Sequence, residues 1–188
     1  YDWAERALNV AYQLSPGHAS VLEGLEHIAQ LRGDDALYRH WLEARMKITP
    51  DNPELLRAHA HLLASMGDGE AELAVRRLEA LGVDTAADRS LLSGLRARAG
   101  ARSEAIEAIT QALDEDPSRS EDWLHYAQLL EAEEEFSLSL EANERCLTLN
   151  RQSGEAWALK ARILSMKKGH ERDALKASTH AVALGAGG

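Results

Sequence analysis

Apolar residues return along this chain at helical spacing, and the helical stretches themselves return every 33 to 35 residues. Between Ser120 and Ser153, the residues Trp123, Tyr126, Ala127 and Leu130 fall at i, i+3, i+4 and i+7, one face of a helix. Glu133 to Glu135 interrupts that face. A second apolar stripe follows at Phe136, Leu140, Cys146, Leu147 and Leu149. The pattern predicts two helices of about 13 residues each, joined by a short turn.

The same order of residues reappears on both sides of this stretch. After it come Trp157, Ala161, Leu164, Gly169, Ala174, Ala177 and Ala181. Before it come Leu92, Leu95, Gly100, Ala105, Ile109, Ala112 and Pro117, and earlier still Leu56, Leu63, Gly67, Ala71, Val75 and Leu78. The first complete copy holds Leu22, Leu25, Gly33, Leu42 and Pro50. Punctuation keeps the same period. Gly33, Gly67, Gly100 and Gly169 are 34, 33 and 69 residues apart, and Pro16, Pro50 and Pro117 are 34 and 67 apart. Glycine at a turn permits the positive φ that ends a helix, and proline stops a second helix from running on.

A fixed period of this length marks stacked helical hairpins. The units are 19–52, 53–85, 86–119, 120–153 and 154–188. Residues 1–18 carry only second-helix positions: Tyr1, Ala4, Leu8, Ala11 and Pro16. The expectation is one array over 1–188, with a lone helix and five hairpins, eleven helices in all. An unpaired second helix at the start implies that further repeats precede it. Local signals mark several starts. Asn52, Pro53 and Glu54 read as cap, first turn and dipole partner, Thr85 with Asp88 as a capping box, and Ser120 and Ser153 as caps.

These residues resemble the tetratricopeptide repeat, whose pattern is W-x2-L-G-x2-Y, then A-x3-F, then P, over 34 residues. Trp123-x2-Tyr126-Ala127-x2-Leu130 fits its first half, and Ala105-x3-Ile109, Ala112 and Pro117 fit its second. Lys160 replaces the expected leucine after Trp157, and Asp84 and Arg151 stand where proline is expected. The resemblance covers the whole chain. It implies an all-α, right-handed superhelical solenoid in which first helices line a concave groove. It speaks for fold more than for function, because the motif residues are packers.

Composition narrows the classes. Hydrophobic residues make up 45% and charged residues 28%, enough for a core. The formal charge of −10 opposes a nucleic-acid phosphate binder. Cys146 is the only cysteine, so no internal disulfide forms, which fits a reducing compartment. A cytoplasmic location is favoured, with a periplasmic one left open. No apolar run is long enough to span a membrane.

Nothing in the pattern carries catalysis or calls for a cofactor or metal. His59 and His61 are two apart, about 200° around a helix, so they cannot chelate together. Cys146 sits where the repeat wants a small packed residue, and Trp123 and Trp157 sit at packing positions. Trp41, beside His40, is expected to be partly exposed as a contact residue.

The inward-facing candidates on first helices are Glu23, His27, Gln30, Arg57, His61, Ser90, Gly94, Arg98, Leu124, His125, Gln128, Arg162 and Met166. His27, Arg57, His61, Arg98, His125, Gln128 and Arg162 form the candidate peptide-binding set. Their arginines would hold an acidic or carboxylate-bearing partner. The reading is a non-catalytic protein-interaction scaffold that also self-associates through apolar ends. The alternative is the repeat region of a larger enzyme, such as a glycosyltransferase or sulfotransferase, or of a secretion or assembly complex.

Overall fold

A computed structural model describes residues 2–186. Among them are eleven helices and no strand. They are α1 (Asp2–Leu14), α2 (Ala19–Arg32), α3 (Asp35–Ile48), α4 (Pro53–Met66), α5 (Ala71–Ala80), α6 (Ala86–Arg98), α7 (Arg102–Glu115), α8 (Ser120–Ala132), α9 (Phe136–Leu149), α10 (Gly154–Met166) and α11 (Glu171–Ala183). The sequence readings at Tyr1, Gly187 and Gly188 lie outside the described residues. The chain divides into two compact units, Tyr1–Asp84 with α1–α5 and Thr85–Gly188 with α6–α11.

In the first unit, α2 and α3 form one hairpin and α4 and α5 another, with α1 packed on α2. Leu22, Leu25 and Ala29 of α2 make a core with Trp41 of α3, to which Leu8 and Tyr12 of α1 add. A second cluster joins Leu42 of α3 to Leu55 and Leu62 of α4. Trp41 is therefore buried, at 7% exposure, contrary to the contact role expected of it. It meets Tyr12 and His40 edge-on and packs against α2, because its position on α3 faces the partner helix of its own hairpin.

Trp3 is the exposed tryptophan, at 83%. With Val10 and Leu14 it forms an uncovered stripe on α1. Leu37 and Ala44, 34 residues after Trp3 and Val10, pack on α2.

In the second unit, α6–α7, α8–α9 and α10–α11 are hairpins, with α7 packed on α8 and α9 on α10. Ala105, Ile109, Ala112 and Leu113 of α7 form a core with Leu129 of α8, and Trp123 and Tyr126 pack against it. A second core joins Ala127 and Leu130 of α8 to Ala142 of α9 and to Leu159 and Ile163 of α10. Cys146 and Leu147 of α9 pack on Ala156 of α10.

Helix boundaries follow local chemistry. Asn52 caps α4 through Glu54 and Leu55, with Pro53 in the first turn. Thr85 and Asp88 form a complete capping box on α6. Ser153 caps α10 by accepting from Ala156. Ser120, by contrast, is the first residue of α8, and Arg119 takes the cap position without a side-chain bond. The turn of the α8–α9 hairpin has no glycine and puts Glu134 at φ 62°, where the α10–α11 turn has Gly169.

Candidate functional site

The first helices are α2 and α4 in one unit and α6, α8 and α10 in the other. In the first unit His27 on α2 and His61 on α4 are exposed. No hydrogen bond or ion pair engages either among the described residues. His59, two residues from His61, turns the other way and lies half-buried 3.6 Å from Glu43 of α3. That places the two histidines on different faces, as their spacing requires. Arg57 is half-buried. Its guanidinium donates to the Val83 carbonyl beyond α5 and approaches Glu54 at 3.6 Å.

A further ionic network holds this unit. Arg39 of α3 donates to Glu43 at 2.7 Å and to Asp68 in the α4–α5 turn at 2.8 Å. The Arg39 hydrogen bond holds the Glu43 carboxyl below its usual range. Asp68 is held low first by the Glu70 backbone N–H and then by Arg39.

In the second unit the polar residues divide sharply. Gln128 of α8 is exposed and unpaired among the described residues. Arg98 is exposed at the end of α6 and has partners within the chain. Arg162 of α10 is held by Glu131 of α8 through two parallel bonds, Nε at 2.5 Å and Nη2 at 2.6 Å. Such a bidentate pair leaves few donors free.

His125 is built into the seam between α6 and α8. Its Nε2 lies 3.0 Å from Ser93 Oγ, whose hydroxyl donates to the Ala105 carbonyl at 2.7 Å. Because that hydroxyl proton is committed, the imidazole must donate, which fixes the Nε2–H tautomer. Burial pushes the His125 pKa below its ordinary value, and the nearby Asp122 offsets this only in part. His125 is thus a neutral linker.

Beside it, Asp122 is 2% exposed. It accepts from Ser90 Oγ at 2.7 Å and from Arg119 Nε at 2.6 Å. The sequence reading missed Asp122. The signal was there: Ser90 and Ser93 on one helix face Asp122 and His125 on the next, each 32 residues on.

Buried polar groups also tie neighbouring helices together. Ser139 Oγ of α9 donates to the Ala127 carbonyl of α8 at 2.7 Å. Asn143 Nδ2 donates to the Ala156 carbonyl of α10 at 2.9 Å. Cys146 is buried, and burial pushes its thiol pKa up, with Ser153 opposing weakly, so it is a packing group. No cluster of three metal-ligating side chains occurs among the described residues, and no described helix is long and apolar enough to cross a membrane.

This arrangement of helical hairpins is the tetratricopeptide-repeat fold, a helical solenoid type. Among solved structures, MamA matches with a TM-score of 0.77 at 16% identity, over 88% of this chain and 91% of that one. YrrB, a TPR protein with an unusual peptide-binding site, matches with a TM-score of 0.73 at 10% identity, over 96% and 93%. PilF of Pseudomonas aeruginosa matches with a TM-score of 0.71 at 17% identity, over 98% and 81%. At these identities the likeness establishes the fold. No protein-family model matches the chain, and no curated protein matches it in sequence.

Proposed function

We propose that the protein is a non-catalytic protein-interaction scaffold whose first helices bind a peptide or protein segment. The observation that carries this reading is the set of exposed polar side chains that the fold itself leaves unused. His27 and His61 in the first unit and Gln128 in the second are both exposed and unpaired among the described residues. Each can give and take hydrogen bonds with a peptide backbone.

Arg57, Arg98 and Arg162 complete the set as oriented cations. An acidic partner segment would compete with Glu54 and Glu131 for two of them. His125 contributes through Ser93, by holding α8 against α6. The peptide-binding site of YrrB supports this class of function by likeness of fold. That the five hairpins form one array, with the boundaries given above, belongs to the same reading. So does self-association through the exposed Trp3, Val10 and Leu14 of α1 and the exposed Leu175 and Val182 of α11. A strict monomer at high concentration in sedimentation equilibrium would contradict that last element.

The test is a peptide array probed with the intact chain and two double variants. His27→Ala with His61→Ala removes the free donors, and Arg57→Glu with Arg98→Glu reverses the cations. Circular dichroism serves as the control for folding. The reading expects both variants to lose the parent's array pattern. Retention of the full pattern by both contradicts first-helix binding.

A further inference from the structure

We infer that the α10–α11 hairpin carries a second binding site, distinct from the first-helix residues above, that takes a short acidic peptide segment bearing one apolar side chain. The site is a cavity of about 290 Å³ between the two helices. Trp157, Lys160 and Leu164 line it from α10, and Asp173, Lys176 and His180 from α11.

Its chemistry departs from the packing role that Trp157 shares with Trp123. Both indole N–H groups donate to a carbonyl six residues back, Pro117 for Trp123 at 2.9 Å and Arg151 for Trp157 at 3.0 Å. The two rings are therefore held alike. One turn on, Trp123 has Tyr126, a packing residue of the α7–α8 core. Trp157 has Lys160 instead, with its Nζ 5.4 Å from the ring centre. The ring is also stacked on His180 at 4.6 Å between centroids. An aromatic floor beside nitrogen donors is the result.

Charge selects the ligand. Residues 154–186 hold six Lys or Arg against Glu155, Glu171 and Asp173, in a chain whose formal charge is −10. Arg172, Lys176 and His180 follow at i, i+4 and i+8, one ridge of α11, and Lys176 and His180 of that ridge line the cavity. Lys160 is anchored by Glu144. Lys176 makes only an exposed contact with Asp173 at 3.3 Å, and such pairs exchange readily for another carboxylate. The half-buried Trp157 ring, backed by the buried Leu164 and Ala177, offers apolar surface to one side chain of the ligand. A short acidic segment would be attracted to this basic hairpin in an otherwise acidic chain, which gives selectivity as well as affinity. A long polyanion such as nucleic acid would meet the acidic surface beyond the hairpin and be disfavoured.

The test is fluorescence anisotropy on the intact chain with three labelled probes. They are a short oligoglutamate peptide with a central leucine, the same peptide without the leucine, and a single-stranded oligothymidylate. The leucine peptide should bind best. Lys176→Glu with His180→Glu should weaken it by about tenfold or more, because two exposed contacts are reversed at once. His61→Ala with Gln128→Ala should weaken it less than the Lys176 and His180 variant does. Four results would overturn the assignment: no binding of the leucine peptide, equal binding of the peptide without leucine, tighter binding of the oligothymidylate, or loss of binding in the His61 and Gln128 variant with none in the Lys176 and His180 variant. All these residues are exposed, and retained helical signal in each variant excludes misfolding as the cause.

Discussion

The hairpins α8–α9 and α10–α11 occupy equivalent places in the repeat yet solve the same packing problem with different chemistry. Where α8 puts Asp122 and His125 against Ser90 and Ser93 of α6, α10 puts Ala156 and Leu159, both buried. Where α8 follows its tryptophan with Tyr126, α10 has Lys160. The α8–α9 turn forces Glu134 to φ 62°, while the α10–α11 turn uses Gly169 at φ 87°. The fold thus tolerates either a polar or an apolar seam. Asp122 and Ser93 do find partners, which is why their burial is permitted. What the α10–α11 hairpin saves in packing aromatics it presents as an open basic surface.

The largest expected effect separates the two tryptophans. Trp123→Ala should cost about 3–5 kcal/mol, because Trp123 joins the cores on both sides of α8. Trp157→Ala should cost about half of that, since one side of its ring borders the cavity. Urea denaturation of both variants checks the order. Equal losses would mean that the two positions pack alike.

Next comes the polar seam. Asp122→Ala leaves Ser90 and Arg119 without their acceptor and should cost about 1–3 kcal/mol. Ala156→Ser at the equivalent place in α10 crowds an apolar seam and tests whether the two seams are interchangeable. If Asp122→Ala is neutral in denaturation, the buried carboxylate contributes nothing to the seam.

The turns supply a smaller, opposite effect. Glu134→Gly relieves a left-handed conformation that a side chain opposes and should stabilise the chain by about 1 kcal/mol. Gly169→Ala should destabilise by a similar amount, about 1 kcal/mol. Thermal melts of the pair that shift in the same direction would contradict this account of the turns.

The smallest effect is the pH dependence of the seam. Burial lowers the folded pKa of His125 below its ordinary value of 6.5. In the interval between the two values the unfolded chain binds more protons than the folded one, so stability falls as pH falls through 6.5. His125→Gln should flatten the stability profile just below pH 6.5, whereas Leu159, its counterpart in α10, contributes no slope. A profile with the same slope in His125→Gln and parent would remove His125 as the source.

The sequence discloses the fold far better than the site. Apolar spacing at Trp123, Tyr126, Ala127 and Leu130, with the periodic glycines, is enough to place hairpins, because burial of a helical stripe is what the spacing encodes. Caps at Asn52, Thr85 and Ser153 were legible for the same local reason, whereas Ser120 was not, since the helix starts one residue earlier than the serine signal implies. Trp41 misled because its neighbour His40 is exposed, and one residue along a helix turns the side chain to another face.

The candidate site was legible only as residue types on first helices. Partnership was not, because it depends on contacts about 30 residues away. Arg162 reaches Glu131, Arg57 reaches Val83, and His125 reaches Ser93. No local pattern reveals that these groups are engaged while His27, His61 and Gln128 are not.

The most direct test of the scaffold reading is a two-dimensional amide NMR titration of the intact chain with the peptide that binds best on the array. The account predicts that the largest shifts fall on α2, α4 and α8, at and beside His27, His61 and Gln128. Shifts confined to the second helices α3, α5, α7 and α9, with the first helices silent, would contradict it.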